Sequence, residues 1–143
     1  METLKEFHII NSWIGLLHTL CAIIAMLFGT LVLLNKKGTQ KHKRLGYIYL
    51  INMLLLNGTA FGIYNFNGIS MFHFFAIISL ISIGIGILPT IKKRENWLKR
   101  HFYFMNWSVV GLYCAFWAEI GVRFFDMNYF WWVVMLATIV TSI

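Results

Sequence analysis

The chain has 143 residues, of which 59% are hydrophobic and 17% aromatic, and its mean hydropathy is +0.72. Only 12% are charged, about half the share of an average soluble domain, and a soluble protein of this size could not hide so much apolar surface in one core. The net charge of +7 does not point to nucleic acid, because ten of the twelve basic residues fall in two short clusters between apolar runs.

In chain order, the first 12 residues carry Glu2, Lys5, Glu6 and His8, a polar tail in which His8 is expected to be solvated. Four apolar runs then follow, over residues 13–34, 45–64, 69–91 and 102–122. Each is about 20 to 23 residues long, or roughly 30 to 35 Å as helix, the thickness of a bilayer's hydrocarbon core. A fifth run, 129–143, covers only ~22 Å and is too short to cross without thinning or tilting. Its opening Tyr129-Phe130-Trp131-Trp132 has the character of an interfacial aromatic belt. The expected fold is a single all-α domain over 1–143, a membrane bundle of four transmembrane helices plus a short fifth segment. The first run is too long for a cleaved signal peptide and lacks its cleavage site.

The basic clusters are Lys36, Lys37, Lys41, Lys43 and Arg44, then Lys92, Lys93, Arg94, Lys99 and Arg100. Two spans separate them, so both lie on one membrane face. The positive-inside rule makes that face cytoplasmic, with the N-terminus outside a cell membrane. Anionic lipid headgroups are the expected partner of these loops, and a homo-oligomer or a larger membrane complex the expected assembly. Cys21 and Cys114 fall inside apolar runs and read as small core residues. The acceptor patterns at Asn57-Gly-Thr59 and Asn106-Trp-Ser108 lie inside spans and are not glycosylation sites.

The chain reads as a two-helix unit used twice. His18 is followed eleven residues later by Gly29, then Lys36-Lys37, then His42 at the start of the second helix. His73 is followed eleven residues later by Gly84, then Lys92-Lys93, then His101 at the start of the fourth. Such a parallel repeat implies a pseudo-two-fold axis along the membrane normal. It pairs His18 with His73 at one face, and His42 with His101 at the other. His18, Ala22, Ala25 and Gly29 share a helix face, as do His73, Ala76, Leu80 and Gly84, and faces of small residues mark helix contacts in membranes. Gly29 and Gly84 are therefore expected at helix–helix contacts. Gly58 and Gly62 form a GxxxG step with the same meaning.

Ionisable residues within spans are functional candidates by default. Two imidazoles facing across an axis suit the axial positions of a haem b, with His18 and His73 as the first pair and His42 and His101 as the second. The plain alternative is that His18 and His73 only hydrogen-bond neighbouring helices, and that His42 and His101 belong to solvated basic loops touching lipid phosphates. His18, His73 and Glu119 together would form a two-histidine, one-carboxylate set for zinc or iron. Glu119 has a competing partner in Arg123, one turn onward. Asn52 and Asn106 are expected to donate hydrogen bonds between helices. No nucleotide loop, nucleophile elbow or zinc-protease motif is present, so the sequence assigns no catalytic residue.

The stretch 18–46, with its His-x10-Gly pattern and the segment Lys37-Gly-Thr-x-x-His42-x-x-x-Gly46-Tyr47, resembles the bacterial multi-pass family catalogued as domain of unknown function twenty-three-oh-six. His73 and His101 fit the same pattern, and the resemblance covers residues 13–123. After His101 the family carries a basic residue and Trp-Met, where this chain has Phe-Tyr-Phe-Met105. The resemblance implies an architecture and no established activity. The histidine placement is also similar to small four-helix haem-b membrane cytochromes, by architecture alone. The functional expectation is a membrane haem-b or metal protein working in electron transfer. Its alternatives are a non-catalytic subunit or assembly factor and a small proton-coupled transporter.

Overall fold

A computed structural model describes residues 13–63, 71–93, 95–124 and 129–142. The described residues form five helices: α1 (Trp13–Leu34), α2 (Gln40–Ala60), α3 (Met71–Lys92), α4 (Trp97–Phe124) and α5 (Phe130–Ser142). Both α1 and α3 have the length and apolarity to cross a membrane. At 13 residues, α5 spans only ~20 Å.

The helices form a ring in which α1 packs on α2, α2 on α3, α3 on α4 and α4 back on α1, with α5 against α4. The consecutive pairs α1–α2 and α3–α4 make the most extensive contacts, as two hairpins should. Small residues turn inward and large ones outward. The buried residues of α1 are Cys21, Ala25, Gly29 and Val32, while Leu17, Leu20, Ile24 and Leu27 are exposed. In α3, His73, Ala76, Ile83, Gly86 and Pro89 are buried, while Phe74, Ile77, Ile81, Ile85 and Leu88 are exposed. Water would penalise such a surface heavily; lipid tails do not, so close packing of small residues becomes the main source of helix association.

Among the described residues the largest fully buried side chains are Tyr49 and Met53. A Cβ at Gly29 would meet the Tyr49 ring at 3.0 Å and Val109 at 3.2 Å. The α1 glycine thus admits the aromatic ring of α2, as its small-residue face predicts. For α3 the face is shifted. Nothing lies within 4 Å of a Cβ at Gly84, whereas one at Gly86 would meet Met105 Sδ at 3.0 Å and Phe104 Cβ at 3.3 Å. The expected role of Gly84 is therefore filled by Gly86, two residues on and nearly on the far side of the helix. Of the GxxxG step, Gly58 faces open space, while Gly62, just beyond the end of α2, lies beside α1, where a Cβ would meet the Ile14 side chain at 3.6 Å.

The hydrogen bonds that join helices differ from those expected. Asn52 and Asn106 donate to Ile48 and Phe102, carbonyls of their own helices, because four residues back is the nearest acceptor a short amide can reach. Bonds between helices include Tyr49–Ser108 (2.8 Å), Thr30–Tyr113 (2.7 Å) and Asn57–Ser79 (3.1 Å).

Candidate functional site

The Lys-Gly-Thr-x-x-His segment explains itself as a joint between helices. Lys37 Nζ donates to the Val32 carbonyl at 3.2 Å and to that of Leu33, two of the carbonyls that a helix C-terminus leaves without partners. Gly38 adopts φ +79°, a left-handed conformation that costs glycine little. The side chain of Thr39 accepts from the His42 backbone N–H at 3.1 Å, an N-cap that starts α2. The cap fixes His42 in the first turn of α2, beside the end of α1. The second joint reaches its turn with Lys93 at φ 43° and Asn96 at φ 58°, and α4 opens one turn before His101.

These joints bring His42 and His101 together, with ring centres 6.4 Å apart and planes 83° from parallel. Nδ1 of His101 lies 3.0 Å from the Gly86 carbonyl. A carbonyl only accepts, so this nitrogen carries the proton, and in the neutral ring the lone pair sits on Nε2. That tie to a backbone carbonyl is the support that metal-ligating histidines commonly have. Nδ1 of His42 is buried and finds no hydrogen-bond partner among the described residues. His42 lies outside the apolar run 45–64, and its pKa is held below the usual histidine value by burial first, then by Lys37 and His101, against an opposing pull from the Val32 carbonyl. The solvated-loop expectation fails for this pair, since both rings are partly buried and each is engaged with a neighbouring helix. Around them Lys36, Lys41, Lys43, Arg44, Lys92, Lys93, Lys99 and Arg100 are exposed.

The other two histidines abut the last turn of α2. His18 Nδ1 lies 3.0 Å from Thr59 Oγ1. His73 is buried, with its ring centre 6.2 Å from that of Phe61. Beside His18 opens a cavity of about 320 Å³, walled by all five helices, with Asn57, Trp107, Gly111, Glu119 and Thr138 among its lining residues. Glu119 therefore shares a cavity wall with His18; the Arg123 side chain and His8 lie outside the described residues. Among the described residues no three His, Cys, Asp or Glu side chains gather to hold a metal ion.

The sequence from residue 15 to 143 matches the family described as "Predicted membrane protein (DUF2306)". The chain belongs to this family. No curated protein and no solved structure matches the chain. The match covers all five helices of this DUF2306 chain, and with the outward-facing apolar residues it makes the chain a membrane protein. Sequence reasoning ranked the His42–His101 pair second, and missed Asn57 and the cavity. A signal for His42 is present in the sequence: a Gly-Thr turn placed three residues before a histidine fixes that histidine on a helix start.

Proposed function

We propose that this membrane protein binds a haem b between His42 and His101, with electron transfer as its role. The observation that carries the reading is the apposition of two partly buried imidazoles at 6.4 Å. Two imidazoles bound on opposite sides of one ion at ~2.0–2.1 Å have ring centres roughly 6 Å apart. Haem needs only two protein ligands, so a pair suffices where a bare ion would need three or four. A haem held in this way supplies a one-electron couple. The chain's own contribution is to orient both rings. Gly86 fixes the tautomer of His101, Thr39 fixes the backbone of His42, and burial opposes protonation of His42. His18 and His73 form the second candidate pair, and a zinc or iron ion completed by Glu119 is the alternative cofactor.

The test is an absorbance spectrum with iron analysis on the full chain purified from haem-replete cells. A Soret band with one iron per chain is the expected result. A colourless protein that also fails to take up added haem removes the reading. The second reading, a non-catalytic subunit or assembly factor, draws on the bonds from His18 to Thr59 and from His101 to Gly86, which hold neighbouring helices together with no cofactor. The third, a proton-coupled transporter, draws on the shared cavity of His18 and Glu119.

For orientation, we place the basic loops in the cytoplasm and read α2 and α4 as spans alongside α1 and α3. Single cysteines at positions 38 and 96 should resist an impermeant label in intact cells. Labelling of both would reverse the orientation.

A further inference from the structure

The buried residues of α2 are Tyr49, Met53, Leu56 and Asn57, the face that it turns into the bundle. Traced back toward the first joint, a step of three residues leads from Tyr49 to Gly46, and a step of four from Gly46 to His42. At about 100° per residue, Gly46 stands roughly 40° from His42 and about 60° from Tyr49 around the helix, so the three share the inward face. Gly46 is half-buried, yet among the described residues nothing lies within 4 Å of a Cβ built there.

An empty place on an inward face is out of keeping with an end of the bundle that is otherwise closely packed. Protein interiors leave few voids, and one turn further along α2 the Tyr49 ring fills the space before Gly29, 3.0 Å from where a Cβ would be. On α4 the residue one turn beyond His101 is Met105. Its thioether lies against α3, with Sδ 3.0 Å from a Cβ at Gly86, and does not fill the place before Gly46.

A bare ion held by His42 and His101 would need no such room, whereas a macrocycle would. The line joining the two rings runs from α2 to α4. A flat group bound across that line lies between the two helices and passes the residues one turn onward on each, which on α2 is Gly46. The opposite edge of the group then faces the joints, where Lys36, Lys41, Lys99 and Arg100 are exposed, cations suited to the carboxylates of a haem b. We infer that Gly46 clears the room for the macrocycle and so makes the pair selective for haem over a bare ion. The inference rests on the haem reading of His42 and His101, and it assigns the residue that decides which kind of group the pair accepts.

The test is a haem titration of the full chain in detergent, prepared without haem, followed at the Soret band and paired with thermal unfolding of the haem-free protein. Gly46→Leu should bind haem roughly tenfold more weakly than the unmodified chain, the ratio that ~1.4 kcal/mol of overpacking gives. Gly46→Ala adds only a methyl group and should bind it roughly threefold more weakly. Its haem-free midpoint should not fall, because nothing stands near the added atom and alanine is the better helix former. Gly84→Ala, at an equally open glycine on α3, should leave haem affinity unchanged. Gly46 variants that take up haem with the affinity of the unmodified chain would overturn the inference and leave the haem reading standing. So would a Gly46→Ala protein whose midpoint falls while its haem affinity holds, the mark of a purely structural glycine. An unmodified chain that takes up no haem would overturn both. If Gly46→Leu does not fold, the comparison of Gly46→Ala with Gly84→Ala decides.

Discussion

At its basic end the bundle is closely built. Gly29 and Gly86 admit Tyr49 and Met105 to near contact, a capped turn sets His42, and His101 is tied to a backbone carbonyl. At the other end His18 stands at the wall of a 320 Å³ cavity, and both His18 and His73 abut the last turn of α2. The same residue type thus serves two environments. Close packing and the fixed tautomer of His101 are what the proposed haem pair requires. At the cavity the helices leave space that side chains do not fill.

The largest effect on the fold should come from Gly29→Leu. Its Cβ alone would press on the Tyr49 ring and Val109, and overpacking of this kind costs ~1–3 kcal/mol or more. Thermal unfolding in detergent should show a marked loss of stability; an unchanged midpoint would mean that the basic end is not tightly packed. Next, Gly86→Ala should destabilise by about 1–2 kcal/mol, because Phe104 Cβ cannot give way as the tip of Met105 can. The counterparts Gly84→Ala and Gly111→Ala should be neutral or stabilising by up to ~1 kcal/mol, since alanine is the better helix former and nothing stands in the way. Equal losses at all four positions would erase the contrast between packed and open glycine positions. The smallest effect is expected from Thr39→Ala. It removes the cap of α2 at a cost of about 1 kcal/mol, read as a small fall in the thermal midpoint, and it should weaken retention of the proposed haem.

Much of this architecture is legible in the sequence. The run 13–34 is α1, and 69–91 differs from α3 by two residues at most. The helices α2 and α4 begin five residues before their apolar runs, at Gln40 and Trp97. Hydropathy detects the lipid-facing part of a helix and misses polar first turns, which here carry His42 and His101. Shared faces were harder to read. A glycine can serve either side of a helix, so spacing alone did not separate Gly84 from Gly86. Asn52 and Asn57 are both amides in α2, and only Asn57 lies against α3, at Ser79. The cavity has no signature in the chain at all, because it arises from where five helices fail to fill space.

The most direct test of the account compares spectra of the purified protein with those of His101→Ala, His42→Ala and His73→Ala, each expressed in haem-replete cells and checked for insertion. The account predicts a Soret band that disappears in His101→Ala and in His42→Ala and persists in His73→Ala. A band that survives loss of both His42 and His101, or no band in the unmodified protein even after added haem, would contradict it.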